Sequence, residues 1–167
     1  MQEKNYPEGK YTGYMVNGIR EIEGTMEYKN GDIYKGQWKT GEKEGKGNYK
    51  YKETKEEYDG EWKNGKREGL GVLIKANGDR YIGEWKNDLY HGKGTYYYNS
   101  GNSYEGSFQF GKKNGKGVTY YSNGYCEVGD YINGDRKGIH ARLSKEGKVT
   151  PGDYTKKVNQ KQNQEQK

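Results

Sequence analysis

Tyr11, Tyr34, Tyr58, Tyr81 and Tyr104 stand 23, 24, 23 and 23 residues apart, and Glu127 continues the series after another 23. Two residues beyond each lies Gly13, Gly36, Gly60, Gly83, Gly106 or Gly129, and two further on lies Met15, Trp38, Trp62, Trp85, Phe108 or Tyr131. A second column holds the pairs Gly45/Gly47, Gly69/Gly71, Gly92/Gly94 and Gly115/Gly117, reduced to Gly24 in the first unit and Gly138 in the last. A period in the twenties means one small supersecondary unit used repeatedly, each copy too small to bury a core without its neighbours. The fold therefore follows from the unit, seen most clearly in YDGEWKNGKREGLG at residues 58–71.

That unit reads as a β-hairpin. Tyr-x-Gly-x-Trp alternates at period 2, and so does the run after the glycine pair, as in Gly92, Gly94, Tyr96 and Tyr98, so both strands put their aromatics on one face. Asn17-Gly18, Asn64-Gly65 and Asn133-Gly134 fall inside units, and Asn30-Gly31, Asn77-Gly78 and Asn123-Gly124 fall between them. Asn-Gly is the favoured pair for positive φ in tight hairpins. The expected fold class is all-β: an elongated, single-layer, twisted antiparallel sheet of tandem hairpins, about twelve strands at ~4.8 Å spacing and on the order of 55 Å long. The glycines, lacking Cβ, leave room for a neighbouring ring to lie flat on the sheet. The segment KETKEE (52–57) lacks the Asn-Gly pair, which predicts a bulge or wider loop.

Composition excludes the common alternatives. Hydrophobic residues make up only 28%, and 19 of them are Tyr, so no conventional core is available. Ala occurs only at Ala76 and Ala141, and Gly at 28 positions, which leaves no window for an amphipathic helix. Cys126 stands alone, no apolar segment follows Met1, and no apolar run approaches membrane-spanning length; the expectation is an intracellular chain. A net charge of +6 suits acidic partners without naming one. The domain reading is a cap at residues 1–10 and six repeats over 11–149 (11–33, 34–57, 58–80, 81–103, 104–126, 127–149). A disordered polar tail over 150–167 follows.

The signature YxGxW, a turn, then GxG at a 23-residue step is similar to the MORN (membrane occupation and recognition nexus) repeat, over residues 11–149. The third and fourth copies lie nearest the pattern. The first departs from it at Met15 and Ile22, and the sixth at Glu127 and His140, where the family has Tyr and Gly. The resemblance implies a scaffold or targeting module. Such repeats occur in phosphatidylinositol phosphate kinases, junctophilins, histone methyltransferases, ciliary radial spoke heads and other cytoskeletal assemblies, several times beside a catalytic domain that has no counterpart here.

Three surfaces are candidates for function. The first is the position nine residues after each unit start: Arg20, Lys43, Arg67, Tyr90, Lys113 and Arg136. These are either solvated turn residues that keep the sheet soluble or an anion-binding edge, strongest where Lys112, Lys113, Lys116, Arg136 and Lys137 gather. The second is an apolar patch on the nominally polar side, Leu70, Val72, Ile74, Ile82, Tyr97, Val118 and Tyr120, expected to meet a protein partner, a second copy or the same chain. In the last unit Ile139, Ala141 and Leu143 take that parity and the aromatic face is left vacant. The third is the aromatic stripe of Tyr34, Trp38, Tyr58, Trp62, Tyr81, Trp85, Tyr104 and Phe108, assigned to stability rather than to base stacking. Neither an enzyme, a cofactor nor a metal site is expected, because His91, His140 and Cys126 are isolated in sequence. The leading expectation is a non-enzymatic, cytoplasmic scaffold in a ciliary or other cytoskeletal assembly; the alternative is a peripheral adaptor on the anionic inner face of a membrane, binding phosphoinositides. Nucleic acid is not an expected partner.

Overall fold

The computed structural model describes residues 1–155. Among them the chain forms strands and no helix: β1 (Gln2–Tyr6), β2 (Gly9–Val16), β3 (Ile19–Tyr28), β4 (Ile33–Lys39), β5 (Glu42–Lys50), β6 (Glu57–Lys63), β7 (Lys66–Ile74), β8 (Arg80–Lys86), β9 (Leu89–Tyr97), β10 (Ser103–Gln109), β11 (Lys112–Tyr120), β12 (Cys126–Ile132), β13 (Asp135–Leu143) and β14 (Val149–Asp153). They fall into two compact units, Met1–Leu89 and the segment from Tyr90 onward. In the first unit β1 to β8 pair antiparallel in chain order. In the second, β9 to β14 do the same. The all-β, open antiparallel architecture expected from the alternation is the one observed.

The strand number exceeds the expected twelve because both ends continue the pattern. Residues 1–10 supply β1, which pairs with β2 from Gln2↔Gly13 to Tyr6↔Gly9. The polar tail does not begin at residue 150: Val149–Asp153 pairs along β13 from Leu143↔Val149 to Ile139↔Asp153. Pro151 is tolerated there because an edge strand needs only half of its amides. The segment 156–167, also assigned to that tail, lies outside the described residues.

The turns divide into two kinds that the shared Asn-Gly letters did not separate. Inside repeats both central residues are left-handed: Asn17/Gly18, Thr40/Gly41, Asn64/Gly65, Asn87/Asp88, Phe110/Gly111 and Asn133/Gly134. This is the mirror-image turn whose twist matches a hairpin. Between repeats only the glycine is left-handed, as at Gly31, Gly78, Gly101, Gly124 and Gly147. There the turn closes with paired bonds such as the Gly31 amide to the Tyr28 carbonyl (2.8 Å) and the Tyr28 amide to the Asp32 carbonyl (2.9 Å). At the predicted wider loop Lys55 takes the left-handed position (φ 58°), and the Tyr51 amide reaches across to the Glu56 carbonyl.

Each member of the glycine pair has its own cause. Registers slip between Gly36 and Trp38, Gly60 and Trp62, and Gly106 and Phe108. The bulge this creates on the facing strand puts Gly45, Gly69 and Gly115 at φ 66°, 69° and 90°, as a bulge with a left-handed first residue requires. The second glycine is needed for space: a Cβ on Gly71 would stand 2.3 Å from the Tyr58 hydroxyl and 2.6 Å from its ring. Tyr58, fully buried, lies flat over Gly60 and Gly71 and donates from its hydroxyl to the Glu61 carbonyl (2.9 Å). Its ring meets Trp62 and Trp85 edge-on at 5.1 Å each, pairs worth roughly 0.5–1.5 kcal/mol beyond their burial. The Trp62 indole donates to the Gly47 carbonyl of the preceding repeat (2.9 Å). In the second unit Tyr104 repeats the arrangement with Phe108 and Tyr131.

Candidate functional site

One face of each unit is closed by its own side chains. The cation expected at the turn edge lies directly across the strand pair from the aromatic, as Trp38↔Lys43, Trp62↔Arg67 and Phe108↔Lys113 show. It therefore folds over the rings. Arg20 covers Trp38 at 4.6 Å, Lys43 covers Trp62 at 4.2 Å, and Arg67 covers Trp85 at 4.4 Å. In the second unit Lys113 covers Tyr104 at 4.3 Å, and Tyr90 fills the same column by packing against Phe108. Burial pushes the Lys43 ammonium down to about 8, and burial together with the Arg136 charge does the same to Lys113. These residues are lids on an aromatic core, neither solvated spacers nor a free anion edge. The signal was present in the two-residue turn, which fixes residue nine of the repeat opposite residue four.

The five anion candidates are not brought together. Lys113 points into the rings, and Arg136 is held by Glu127 at 2.8 Å. Lys112 is exposed at the turn. Lys116 and Lys137 flank Asp130 in register across β11, β12 and β13, which offsets part of their charge.

The opposite face carries the apolar candidates, one group in each unit. In the first, Leu70, Val72 and Ile74 project from β7 beside Ile82 of β8, with Val72 directly opposite Ile82. Leu70 is 62% exposed. Glu57, Asp59 and Glu84 stand opposite Ile74, Val72 and Leu70 and border the group with carboxylates. In the second unit Tyr97, Val118 and Tyr120 belong to a wider surface. One row runs Val118↔Val128↔Ala141↔Pro151 and the next Tyr120↔Cys126↔Leu143↔Val149. Ile139 and Val149 are 71% and 63% exposed. Pro151 was missed by sequence reasoning because residues from 150 onward were assigned to the tail, and Val128 and Val149 because their parity within the sixth repeat was not counted.

The aromatic face of the last repeat is not vacant. His140 occupies the second-glycine position and its imidazole fills the space a tyrosine ring takes elsewhere, 2.3 Å from where a Cβ on Gly129 would sit. Glu127 replaces that tyrosine, and both residues are fully buried. The His140 Nε2–H donates to the Asp130 carbonyl (2.9 Å), which can only accept, while Nδ1 faces Glu127 Oε1 at 3.1 Å. Arg142 donates to Glu127 Oε2 (3.0 Å) and so does the Tyr121 hydroxyl (3.1 Å). Burial alone would raise the Glu127 carboxyl; the Arg142 hydrogen bond and the Arg136 charge outweigh it and hold the group below the usual carboxylate range. Sealed from solvent, the pair serves as a packing element. Among the described residues no cluster of His, Cys, Asp and Glu is arranged to hold a metal ion.

The family model described as MORN repeat matches residues 11–33, 34–53, 58–80, 81–103 and 104–124. The β12–β13 hairpin lies beyond those matches, in keeping with its Glu127 and His140. No curated protein sequence matches the chain. Among solved structures, the TCP domain of SAS-4 (dCPAP) of Drosophila melanogaster, determined in complex with a proline-rich motif of Ana2 (dSTIL), is 17% identical with a TM-score of 0.55, covering 90% of this chain and 88% of that one. A point mutant of the TCP10 domain of Danio rerio CPAP is 12% identical with a TM-score of 0.30, covering 92% and 99%.

Proposed function

The chain belongs to the MORN repeat family, and on that premise we propose that it is a non-enzymatic scaffold that docks proteins on the exposed side of its sheet, inside the cell and within a ciliary or other cytoskeletal assembly. The observation that carries this reading is the row of apolar side chains left in water on the face opposite the aromatics. Leu70, Val72, Ile74 and Ile82 have no second layer to enter, and an exposed apolar group rimmed by polar residues is the usual mark of a contact surface. The wider surface of the second unit, from Val118 to Val149, adds to it. The Drosophila domain that shares the fold is itself seen with a peptide segment of another protein, which supports use of such a sheet for protein binding.

The test is detergent extraction of source cells followed by quantification of the protein in the cytoskeletal pellet, the detergent-soluble fraction and the cytosol. Retention in the pellet is expected, and Val72→Lys with Ile74→Lys should release the protein to the soluble fractions while leaving its β circular dichroism unchanged. Release of the native protein by detergent alone would instead support a peripheral membrane adaptor. That reading would have to rest on Lys112, Lys116 and Lys137, since Lys113 and Arg136 are engaged within the fold.

A further inference from the structure

The inter-repeat turns carry a second aromatic column. Tyr28, Tyr51, Lys75, Tyr98 and Tyr121 each open such a turn, donating their amides to Asp32, Glu56, Asp79, Asn102 and Tyr125. Two residues earlier stand Met26, Tyr49, Leu73, Tyr96 and Thr119. Where both positions are tyrosine the rings touch, Tyr49 with Tyr51 at 4.3 Å and Tyr96 with Tyr98 at 4.6 Å, and Tyr28 stacks on Tyr49 from the repeat before. In the last repeat the two positions are Arg142 and Ser144. Ser144 opens its turn with the same bond, to Lys148, but no ring is there. A cleft of about 530 Å³ lies in its place, lined by Tyr121, Tyr125, Arg142, Ser144, Lys148 and Thr150 among others, a volume in the range of small-ligand sites.

The lining sets the charge of an occupant. Among the described residues no carboxylate lines the cleft. Glu127, beneath it, is sealed from solvent and faces two arginines, Arg136 and Arg142, so one positive charge is left over. Lys148 adds a second, and its ammonium has no partner among the described residues. The hydroxyls of Tyr125, Ser144 and Thr150 offer donors to an oxyanion, and Arg142 keeps guanidinium N–H groups beyond those of the terminal nitrogen that it gives to Glu127 and the Tyr154 hydroxyl. The missing ring sets the shape: at the position of Ser144 the first, second, fourth and fifth repeats carry Tyr28, Tyr51, Tyr98 and Tyr121, and only the third, with Lys75, shares the lack of a ring.

We propose that this cleft binds an aryl phosphate, in the form of a phosphorylated tyrosine side chain presented by a partner protein. The ring enters the slot that Ser144 leaves open against Tyr121, and the phosphate meets Arg142 and Lys148. The identity of the carrier rests on the protein-binding reading above; the site itself does not depend on the apolar face.

The test is calorimetric titration of the full chain with phenyl phosphate, inorganic phosphate, and one peptide in tyrosine-phosphorylated, serine-phosphorylated and unphosphorylated forms. Phenyl phosphate should bind at least tenfold tighter than inorganic phosphate, and the phosphotyrosine peptide at least tenfold tighter than the other two. Ser144→Tyr, which supplies the ring that Tyr28, Tyr51, Tyr98 and Tyr121 carry at this position, should abolish this binding with the unfolding midpoint unchanged. Lys148→Ser, at an exposed position that cannot unfold the sheet, should weaken it about tenfold and reduce its salt dependence. Equal affinity for phenyl and inorganic phosphate, equal affinity for the two phosphopeptides, or binding indifferent to Ser144→Tyr overturns the proposal. Binding of phosphatidylserine-containing vesicles that Ser144→Tyr abolishes, with no phosphopeptide bound, overturns it in favour of a lipid ligand. Loss of cytoskeletal retention on Val72→Lys with Ile74→Lys, with phenyl phosphate affinity intact, separates the cleft from the apolar surface.

Discussion

Ile22 stands where the later repeats have the first glycine of their pair, and it adopts φ 65° with a β-branched side chain for which that region is a true outlier. The left-handed conformation costs an L-residue about 1–2 kcal/mol, and Ile22 is 61% exposed, so little burial offsets the strain. Ile22→Gly is expected to stabilise the first unit by about 1 kcal/mol, net of the entropy glycine adds to the unfolded chain, read as a higher urea midpoint at unchanged slope. Lys43 and Lys113 make a second prediction at this scale. Both titrate near 8 when folded and near 10.4 when unfolded, so between those values the unfolded chain holds protons that the folded one has released. Their contribution to stability therefore rises with pH from about 8 to about 10.4. Lys43→Met should flatten that rise in urea unfolding profiles taken across the range, and carbon-detected titration should place the midpoints of Lys43 and Lys113 near 8.

Among the elements, β12 and β13 keep the repeat geometry with different chemistry. The register slips at Val128/Asp130 as it does in the other hairpins, yet a carboxylate, an imidazole and two arginines replace ring on glycine. Such a network is stable only while complete, because removing one partner leaves a buried charge uncompensated. Glu127→Ala, which leaves the buried His140 and two part-exposed arginines without their acceptor, is expected to destabilise the second unit by about 1–3 kcal/mol and to expose the amides of β13 and β14 to hydrogen exchange, leaving the protection of β4 to β7 unaltered. The acid limb carries the same group: its folded carboxyl lies below the ordinary value, so its stabilisation is fully present above the unfolded carboxylate range and is lost as pH falls through the folded value. The hairpins themselves were legible, since period-2 alternation marks the paired strands and Asn64-Gly65 marks the turn between β6 and β7. What the last repeat does in place of Tyr on Gly was not, because Glu127 and His140 look like breaks in a pattern until their side chains are seen to meet.

Across the whole chain, the repeat period carried the fold and the parity of the strands carried the outer face, so Leu70, Val72 and Ile74 were found where expected. The cations were misread because column-by-column reading along a repeat does not ask what stands opposite across the hairpin; Lys43 lies next to Glu44 in sequence but across from Trp38 in the sheet. Ser144 escaped notice for a related reason: its meaning is the tyrosine it lacks, and that tyrosine column has no partner in the Tyr-x-Gly-x-Trp signature.

The connection between β5 and β6 is the one place where the chain departs from a 23-residue step, and it absorbs the additional residue within 51–56 while both flanking strands keep their register. Turns inside repeats leave no such freedom, because both of their central residues are committed to the left-handed region. Segment 53–55 is thus a ready insertion port: an epitope tag or a fluorescent reporter placed there should leave the unfolding free energy from urea titration within about 0.5 kcal/mol of the parent, whereas the same cassette between Asn64 and Gly65 should unfold its hairpin. A protein built this way can be lengthened, labelled or grafted at its joints without redesigning its modules.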